Sequence, residues 1–160
     1  ETLGALNEAK DQGLTRTIGV SNFPSAEFRQ AQALSKARLV TNQVEYHPYL
    51  NPGALLDLMR SRGLVLTAHS PLARGAVLND PVLQEIATQR QLSVAQVVLR
   101  WLVQQERVVA IPGALSVEQL RENLKVLEVR LTHDEMDAIF ALARGTRIVD
   151  PPHSPAWDSA

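Results

Sequence analysis

The chain has 160 residues, the size of one domain, and 45% of them are apolar, so a substantial buried core is possible. Its net charge of -1 gives no electrostatic reason to expect nucleic acid or an anionic membrane surface as a partner. The absence of cysteine excludes a disulfide framework and a thiolate metal site, and no apolar run approaches the roughly 18 residues of a membrane span. We therefore expect a cytoplasmic protein that holds no metal.

The chain alternates between short β-rich runs and amphipathic stretches. A first helical pattern extends from Leu3 to Gly13, and because it begins directly at Glu1 we expect the sequence to be part of a longer protein. Strands are predicted at 17–20, 39–44, 64–68 and 108–111. Helices are predicted near 25–36, 52–62, 81–104, 116–128 and 132–144. This alternation indicates βαβ units and a parallel sheet.

Several helix starts carry local signals. A Ser or Thr followed three residues later by Gln or Glu is typical of a capping box, and an Asn or Asp before Pro places a capping side chain ahead of the first helical turn. The capping boxes are predicted at Ser93 with Gln96, Ser116 with Gln119, and Thr132 with Glu135; the Asn/Asp-Pro caps are predicted at Asn51 and Asp80.

Four strand–helix units make half of an eight-stranded (β/α) barrel, which typically needs about 250 residues. A four-stranded piece cannot close, and its edge strands would expose unpaired amides. We therefore expect an α/β fold that forms the C-terminal half of a (β/α)8 TIM barrel: four parallel βα units, a C-terminal helix and a tail. The half-barrel is predicted to span 1–145 and the tail 146–160, with the N-terminal half of the same barrel as its partner.

Polar side chains follow the predicted strands. Ser21 and Asn22 come after the first strand, Gln43 lies within the second, and His69 and Ser70 follow the third. Ligands of parallel α/β folds bind where the strands end in the carboxyl direction. Carboxamides both donate and accept hydrogen bonds. This edge therefore suits a flat heterocycle that bears its own carboxamide.

The segments IGVSNF, NQVEYHPYL, HSPLARG and IPGALSVEQLREN occur in this order and resemble the aldo-keto reductase superfamily. The resemblance covers essentially the whole chain and corresponds to the C-terminal half of that family's barrel. The tail DPPHSPAWDS further resembles the bacterial 2,5-diketo-gluconate-reductase-like branch.

The resemblance implies a cofactor, NADP(H) or alternatively NAD(H), and a small-molecule carbonyl substrate. Ser21, Asn22 and Gln43 would hold the nicotinamide carboxamide, and His69 stands where the family usually has an aromatic residue stacked on the ring. Ser70 and Leu72 would begin the loop along the pyrophosphate. The residues implied around the adenosine 2′-phosphate and adenine are Gly113, Ala114, Leu115, Ser116, Gln119, Glu122 and Asn123. Trp157, in the Pro-rich tail, would fold over the substrate pocket.

Two features depart from the family pattern. Gly113, Ala114 and Gln119 stand where many members have a Lys-Ser pair and an Arg, the residue types that usually discriminate a 2′-phosphate. The Asp, Tyr, Lys and His that the family uses for catalysis all belong to its N-terminal half, so no catalytic residue is assigned in this chain. Tyr46 and Tyr49 lie in a different motif.

Three functions remain open from the sequence. The chain is the cofactor-binding half of an NAD(P)H-dependent carbonyl reductase, part of a non-catalytic barrel that senses nicotinamide nucleotides, or part of a phosphate-binding barrel isomerase. Structural roles are expected for His47, as a tie between its loop and the backbone, and for Trp101, as a core residue.

Overall fold

The computed structural model describes residues 1–158, so Ser159 and Ala160 of the predicted tail 146–160 lie outside the described residues. The strands are β1 (Ile18–Ser21), β2 (Leu39–Glu45), β3 (Val65–His69) and β4 (Val108–Ala110). The α-helices are α1 (Thr2–Asp11), α2 (Ser25–Leu34), α3 (Gly53–Ser61), α4 (Pro81–Arg90), α5 (Val94–Gln104), α6 (Val117–Leu124) and α7 (His133–Phe140). Two 3₁₀ segments, Ala73–Asn79 and Lys125–Glu128, complete the described elements.

The four strands form one parallel sheet in the order β1-β2-β3-β4. Each predicted strand boundary lies within one residue of the observed one. The predicted α/β class and parallel sheet are therefore confirmed. Because all three pairings are parallel, the four strands end at the same edge of the sheet, and the order makes β1 and β4 the outer strands.

The core lies between the sheet and the helices packed against it. Leu66 and Ala68 of β3 are fully buried, and so are Val97 and Val98 of α5. Trp101 is 1% exposed, with its ring 5.2 Å from each of the Tyr46 and Phe140 rings in edge-on geometry. The predicted core role of Trp101 is confirmed.

Gly19 lets β1 and β2 approach each other. A Cβ at this position would lie 2.6 Å from Thr41 Cγ2 and 2.8 Å from the Thr41 carbonyl oxygen, closer than any side chain tolerates. The pairing register also shifts between Ile18 and Val20. A bulge next to a glycine twists the strand locally, which aims the residues that follow it.

The helical pattern predicted over 81–104 contains two helices, and the second begins at the capping box predicted at Ser93. Gln91 takes a left-handed conformation with φ of 55°, which ends α4, and Ser93 begins α5 with a complete capping box to Gln96. The last helix is also shorter than the predicted 132–144, because it ends at Phe140.

The predicted caps are confirmed in part. Asp80 accepts hydrogen bonds from Val82 N and Leu83 N, and Thr132 forms the complete box with Glu135. Ser116 accepts from Gln119 N, but the Gln119 side chain accepts from Leu115 N, so this box is incomplete.

The predicted cap at Asn51 is wrong. Pro52 precedes α3 without a side-chain cap, and Asn51 Oδ1 is buried without a hydrogen-bond partner among the described residues.

Apolar side chains remain exposed on the β4 side of the sheet. Val109 and Ile111 are 48% and 44% exposed, and Leu120 and Leu124 of α6 are 53% and 65% exposed. None of the described helices is long and apolar enough to cross a bilayer.

Candidate functional site

The sheet register brings the predicted polar residues together. Ser21 pairs with Gln43, and two residues further along β2, Glu45 pairs with His69. The Ser21 hydroxyl donates to the Gln43 carbonyl oxygen at 2.9 Å, and Asn22 N donates to the same oxygen at 2.8 Å. These contacts fix Ser21, Asn22, Gln43 and His69 along one strand-end edge, which we call the rim.

A hydrogen-bonded chain crosses the rim from Asn22 to Ser70. His69 Nε2 lies 3.3 Å from Asn22 Oδ1, and His69 Nδ1 lies 3.1 Å from Ser70 Oγ. An amide oxygen only accepts, so Nε2 carries the proton and Nδ1 accepts from the Ser70 hydroxyl. Burial lowers the pKa of His69, and the guanidinium groups of Arg147 and Arg74 lower it further, against the opposing effect of Glu45. The imidazole is therefore neutral at pH 7.

The carboxamides at the rim offer free hydrogen-bonding capacity. Gln43 is half-buried, and its side chain makes no hydrogen bond within residues 1–158. Asn22 is exposed, and its amide nitrogen is likewise without a partner in that range. A ligand with both a donor and an acceptor, such as a planar carboxamide, fits this arrangement.

The loop that carries Asn22 is tightly held. Asn22 and Ser70 both have positive φ values, 58° and 50°, which are uncommon for residues other than glycine. The buried Asn42 side chain hydrogen-bonds both backbone groups of Phe23. Its Nδ2 donates to Phe23 O at 2.6 Å, and its Oδ1 accepts from Phe23 N at 3.4 Å. Conformations of this kind persist where the surroundings over-determine them, typically at ligand sites.

The predicted pyrophosphate loop follows the rim directly. Ala73 N donates to Ser70 O, and Gly75 N donates to Leu72 O, both at 2.8 Å, which makes two consecutive tight turns. Arg74, between them, is exposed and has a φ of 51°. Ser70 and Leu72 thus lie at the start of a compact turn next to the rim.

The predicted adenosine segment is the most open part of the structure. Leu115 is 98% exposed, and α6 has no buried residue. Glu122 is already engaged, since Oε2 accepts from Gln96 Nε2 at 2.9 Å and Oε1 pairs with Lys125 Nζ at 2.6 Å. Gly113 has no neighbour within 4 Å of a Cβ placed there, and Ala114 and Asn123 are half-buried.

The sequence interpretation missed a buried carboxylate beside the rim. Glu45 is 1% exposed, and it accepts hydrogen bonds from His47 Nε2 at 2.8 Å, from Ile148 N at 2.7 Å and from Val149 N at 3.0 Å. Arg147 Nη1 lies 3.7 Å away. His47 is therefore structural, but its partner is this carboxylate and not the backbone, which corrects the expected tie.

Hydrogen bonding decides the ionisation of Glu45. Burial alone raises the pKa of this carboxyl, but the hydrogen bonds from His47, Ile148 and Val149 outweigh burial and lower it below its usual range. Glu45 is therefore ionised, and its charge holds the backbone of the tail.

Trp157 lies at the far end of the tail. The Arg147 guanidinium carbon is 3.7 Å from the Trp157 ring centroid, the geometry of a cation–π contact. Trp157 and Asn22 both line a cavity of about 410 Å³ that the tail covers. The expected position of Trp157 over the substrate pocket stays a prediction, but the side chain does stand next to the rim.

The comparisons with known proteins agree with this architecture. The sequence model of the Aldo/keto reductase family matches residues 1–144. The chain belongs to the aldo/keto reductase family. A crystal structure of a protein assigned as a 2,5-diketo-D-gluconic acid reductase B superposes with a TM-score of 0.94 at 43% identity, covering 98% of this chain and 57% of that one. The resemblance to this branch is therefore confirmed.

Curated aldo/keto reductases are similar over nearly the whole chain. Methylglyoxal reductase DkgB of Salmonella typhi is 37% identical over 160 residues, covering 99% of this chain and 60% of the relative. The NADP-dependent D-sorbitol-6-phosphate dehydrogenase of Malus domestica is 34% identical over 167 residues, covering 98% and 53%. The chain thus spans between half and three fifths of the length of the relatives it matches.

Some of the missed residues had a recognisable signal. Glu45 interrupts an apolar strand, and His47 follows two residues later, a spacing that places both side chains on one face of extended chain. Asn42 is likewise a polar residue in a buried strand, where a hydrogen-bond partner is required. Arg147 and the tail amides gave no signal, because they are separated from Glu45 by more than 100 residues.

We expect Glu45→Gln to destabilise the fold at neutral pH, because it removes the charge that receives three hydrogen bonds. Each hydrogen bond to a charged group contributes roughly 1.5–3 kcal/mol to the free energy of unfolding. The pKa of Glu45 is lowered in the folded state, so this contribution is complete above the unfolded value near 4.5 and is lost as pH falls through the folded value. The difference in unfolding free energy between wild type and variant, measured by denaturant titration from pH 7 to pH 3, is expected to shrink in acid.

Glu106→Gln is the matched control, since Glu106 is exposed. Equal destabilisation by both variants, or a Glu45→Gln effect that grows toward pH 3, would contradict the assigned role of the carboxylate.

Proposed function

We propose that this chain is the cofactor-binding half of an NAD(P)H-dependent carbonyl reductase with a (β/α)8 barrel. The observation that carries the proposal is the convergence of Ser21, Asn22, Gln43 and His69 on one strand-end rim with unpaired carboxamide capacity. Family membership supports it, because aldo/keto reductase relatives are named as reductases.

Each rim residue has a role toward the nicotinamide. The Gln43 amide and the Asn22 amide nitrogen hold the carboxamide of the cofactor, and the Ser21 hydroxyl fixes the Gln43 backbone. The neutral His69 ring offers a flat, partly buried face for the nicotinamide and orients Asn22 through Nε2. When bound, the nicotinamide supplies the hydride, and the chain's contribution is to hold the ring in one orientation.

The proton donor is proposed to lie outside this chain. Burial raises the pKa of Tyr46 well above its usual range, and its hydroxyl donates a hydrogen bond to Gln105 Oε1 at 2.7 Å. Burial also raises the pKa of Tyr49, whose hydroxyl donates to Asp80 at 2.9 Å. Neither tyrosine is suited to proton transfer at neutral pH. We therefore propose that the N-terminal half of the barrel supplies the catalytic set and that this chain alone does not reduce carbonyls.

The substrate is proposed to be a small aldehyde or ketone. This follows from relatives whose names describe reduction of methylglyoxal and dehydrogenation of D-sorbitol 6-phosphate. The tail-covered cavity of about 410 Å³ beside Asn22 accommodates a molecule of that size.

The cofactor is proposed to be NADP(H), with relaxed discrimination against NAD(H). Among the described residues of the segment 113–123, Arg121 is the only cation, and it is exposed. The α6 N-terminus, capped by Ser116, attracts an anion through backbone amides and without a side-chain charge. One NADP-dependent relative supports the phosphate-bearing form.

We expect Asn22→Ala and Gln43→Ala each to weaken NADPH binding about three- to tenfold. Each variant removes hydrogen bonds to the carboxamide, worth about 0.5–1.5 kcal/mol net. The dissociation constant would be measured by fluorescence titration of the reduced nicotinamide. Gln30→Ala, an exposed glutamine on α2, is the control that leaves binding unchanged. Unaltered affinity in both rim variants would reject the site.

We expect wild type to bind NADPH less than about a hundredfold more tightly than NADH, and Gly113→Lys to increase this ratio about tenfold or more. A charge-assisted contact to phosphate contributes about 1.5–3 kcal/mol. The position tolerates a side chain, because no atom lies within 4 Å of its Cβ site. The two dissociation constants would be compared for wild type, Gly113→Lys and, as a control, Gly4→Lys in α1, where the space is equally open.

A ratio above about a thousandfold in wild type, unaltered by Gly113→Lys and by Arg121→Ala, would contradict this proposal. Such a ratio would mean that another group binds the 2′-phosphate.

A further inference from the structure

The tail from 146 to 158, which we call the strap, is attached to the body at both ends. At its start, the Glu45 carboxylate accepts hydrogen bonds from Ile148 N and Val149 N. At its end, Asp158 Oδ2 accepts from Ser25 N at 3.0 Å and from Ser25 Oγ at 2.7 Å, and Oδ1 lies 3.2 Å from Ser25 N. The strap therefore bridges the second strand and the start of α2.

The Asp158 contact supplies what the local sequence of α2 lacks. The residue before this helix is Pro24, which makes no side-chain cap, so the first-turn amides have no local acceptor. Asp158 provides that acceptor from 133 residues further along the chain, and its negative charge is favourable at a helix N-terminus. Ser25 is 5% exposed and Asp158 is exposed, so the contact lies at the protein surface with its serine side buried.

Ser25, the residue that Asp158 caps, lies three positions after Asn22, and the loop between them has little conformational freedom. Pro24 has a fixed φ, and the Asn42 side chain hydrogen-bonds both backbone groups of Phe23. Asn22 itself has a φ of 58°, in the left-handed region, which asparagine adopts more readily than other non-glycine residues but still at some cost in free energy. Asn42 supports the loop from the sheet, and Asp158 supports it from the strap.

We propose that Asp158 is a positioning residue that holds the Asn22 loop in its ligand-binding conformation, so that strap docking and cofactor affinity are coupled. The coupling to the cofactor rests on the function proposed above. Asp158 touches no reacting atom in this arrangement and acts through Ser25. Because coupling between two sites is reciprocal, a bound cofactor also tightens the strap.

Release of the strap is expected to lower the fraction of molecules whose rim is in the conformation that binds the cofactor. If release of the strap lets the loop sample other conformations, the apparent dissociation constant rises in inverse proportion to the competent fraction. Loss of a helix cap changes such an equilibrium about five- to tenfold, which is the upper limit of the resulting loss of affinity.

The test compares Asp158→Ala with Asp150→Ala, a matched variant that removes another exposed carboxylate from the same strap. Two measurements are made on the full chain: NADPH affinity by fluorescence titration, and amide hydrogen exchange of residues 22–28 without ligand. We expect Asp158→Ala to weaken NADPH binding by more than about twofold and by at most about tenfold and to accelerate exchange in 22–28, while Asp150→Ala changes neither. Asp158→Glu, which keeps the acceptor, is expected to restore most of the affinity.

Ser25→Ala guards against a fold defect in the first variant, since it removes only the hydroxyl partner. We expect a smaller loss of affinity from Ser25→Ala alone, because the Ser25 amide still donates to Asp158, and no further loss when it is added to Asp158→Ala.

Unchanged exchange in 22–28 for Asp158→Ala would overturn the positioning role. Faster exchange with affinity within twofold of wild type would overturn the coupling. If wild type binds no nicotinamide cofactor at all, the proposed function fails and the coupling fails with it, and the exchange measurement alone still decides whether Asp158 holds the loop.

Discussion

The parallel register of the four strands decides how the side chains of the rim come together. It places Ser21 beside Gln43 and Glu45 beside His69, so that two carboxamides, a hydroxyl and an imidazole meet at one edge. Gly19 is part of this constraint, because only a glycine permits the close approach of β1 to Thr41 just before the rim begins. The chemistry of the rim is thus a consequence of strand pairing together with the loop that holds Asn22.

The same register explains why a buried carboxylate is tolerated. β2 is the longest strand, and Glu45, its last residue, reaches the level at which the tail crosses the sheet. An ionised group there would be costly alone, but two backbone amides, His47 and the nearby Arg147 compensate its charge. The Arg147 guanidinium in turn lies over the Trp157 ring, so the buried charge also positions this part of the tail.

Much of the fold and the rim could be predicted from the sequence, since both follow from local patterns. Apolar runs located the strands, and polar residues after them located the rim. The helix starts at Asp80, Ser93 and Thr132 could be predicted because capping depends on residues within one turn.

What could not be predicted depends on contacts distant in the chain or on backbone choices without a residue signature. Gln91 interrupts the helical pattern predicted over 81–104 in a left-handed conformation that glutamine does not favour. Asn51 resembles a cap, but Pro52 takes the capping position and leaves the Asn51 oxygen without a partner among residues 1–158. The pairing of Ser25 with Asp158 joins positions 133 residues apart, which no local pattern reports.

The central claim is that the rim is a nicotinamide site, and an amide NMR titration of the ¹⁵N-labelled chain with NADPH tests it most directly. The account predicts that the backbone amides of Ser21, Asn22, Gln43 and His69 shift together with those of 113–123, at the same dissociation constant. Shifts confined to 113–123, as expected for a site that reads phosphate alone, or no shift at the rim at saturating NADPH, would contradict it.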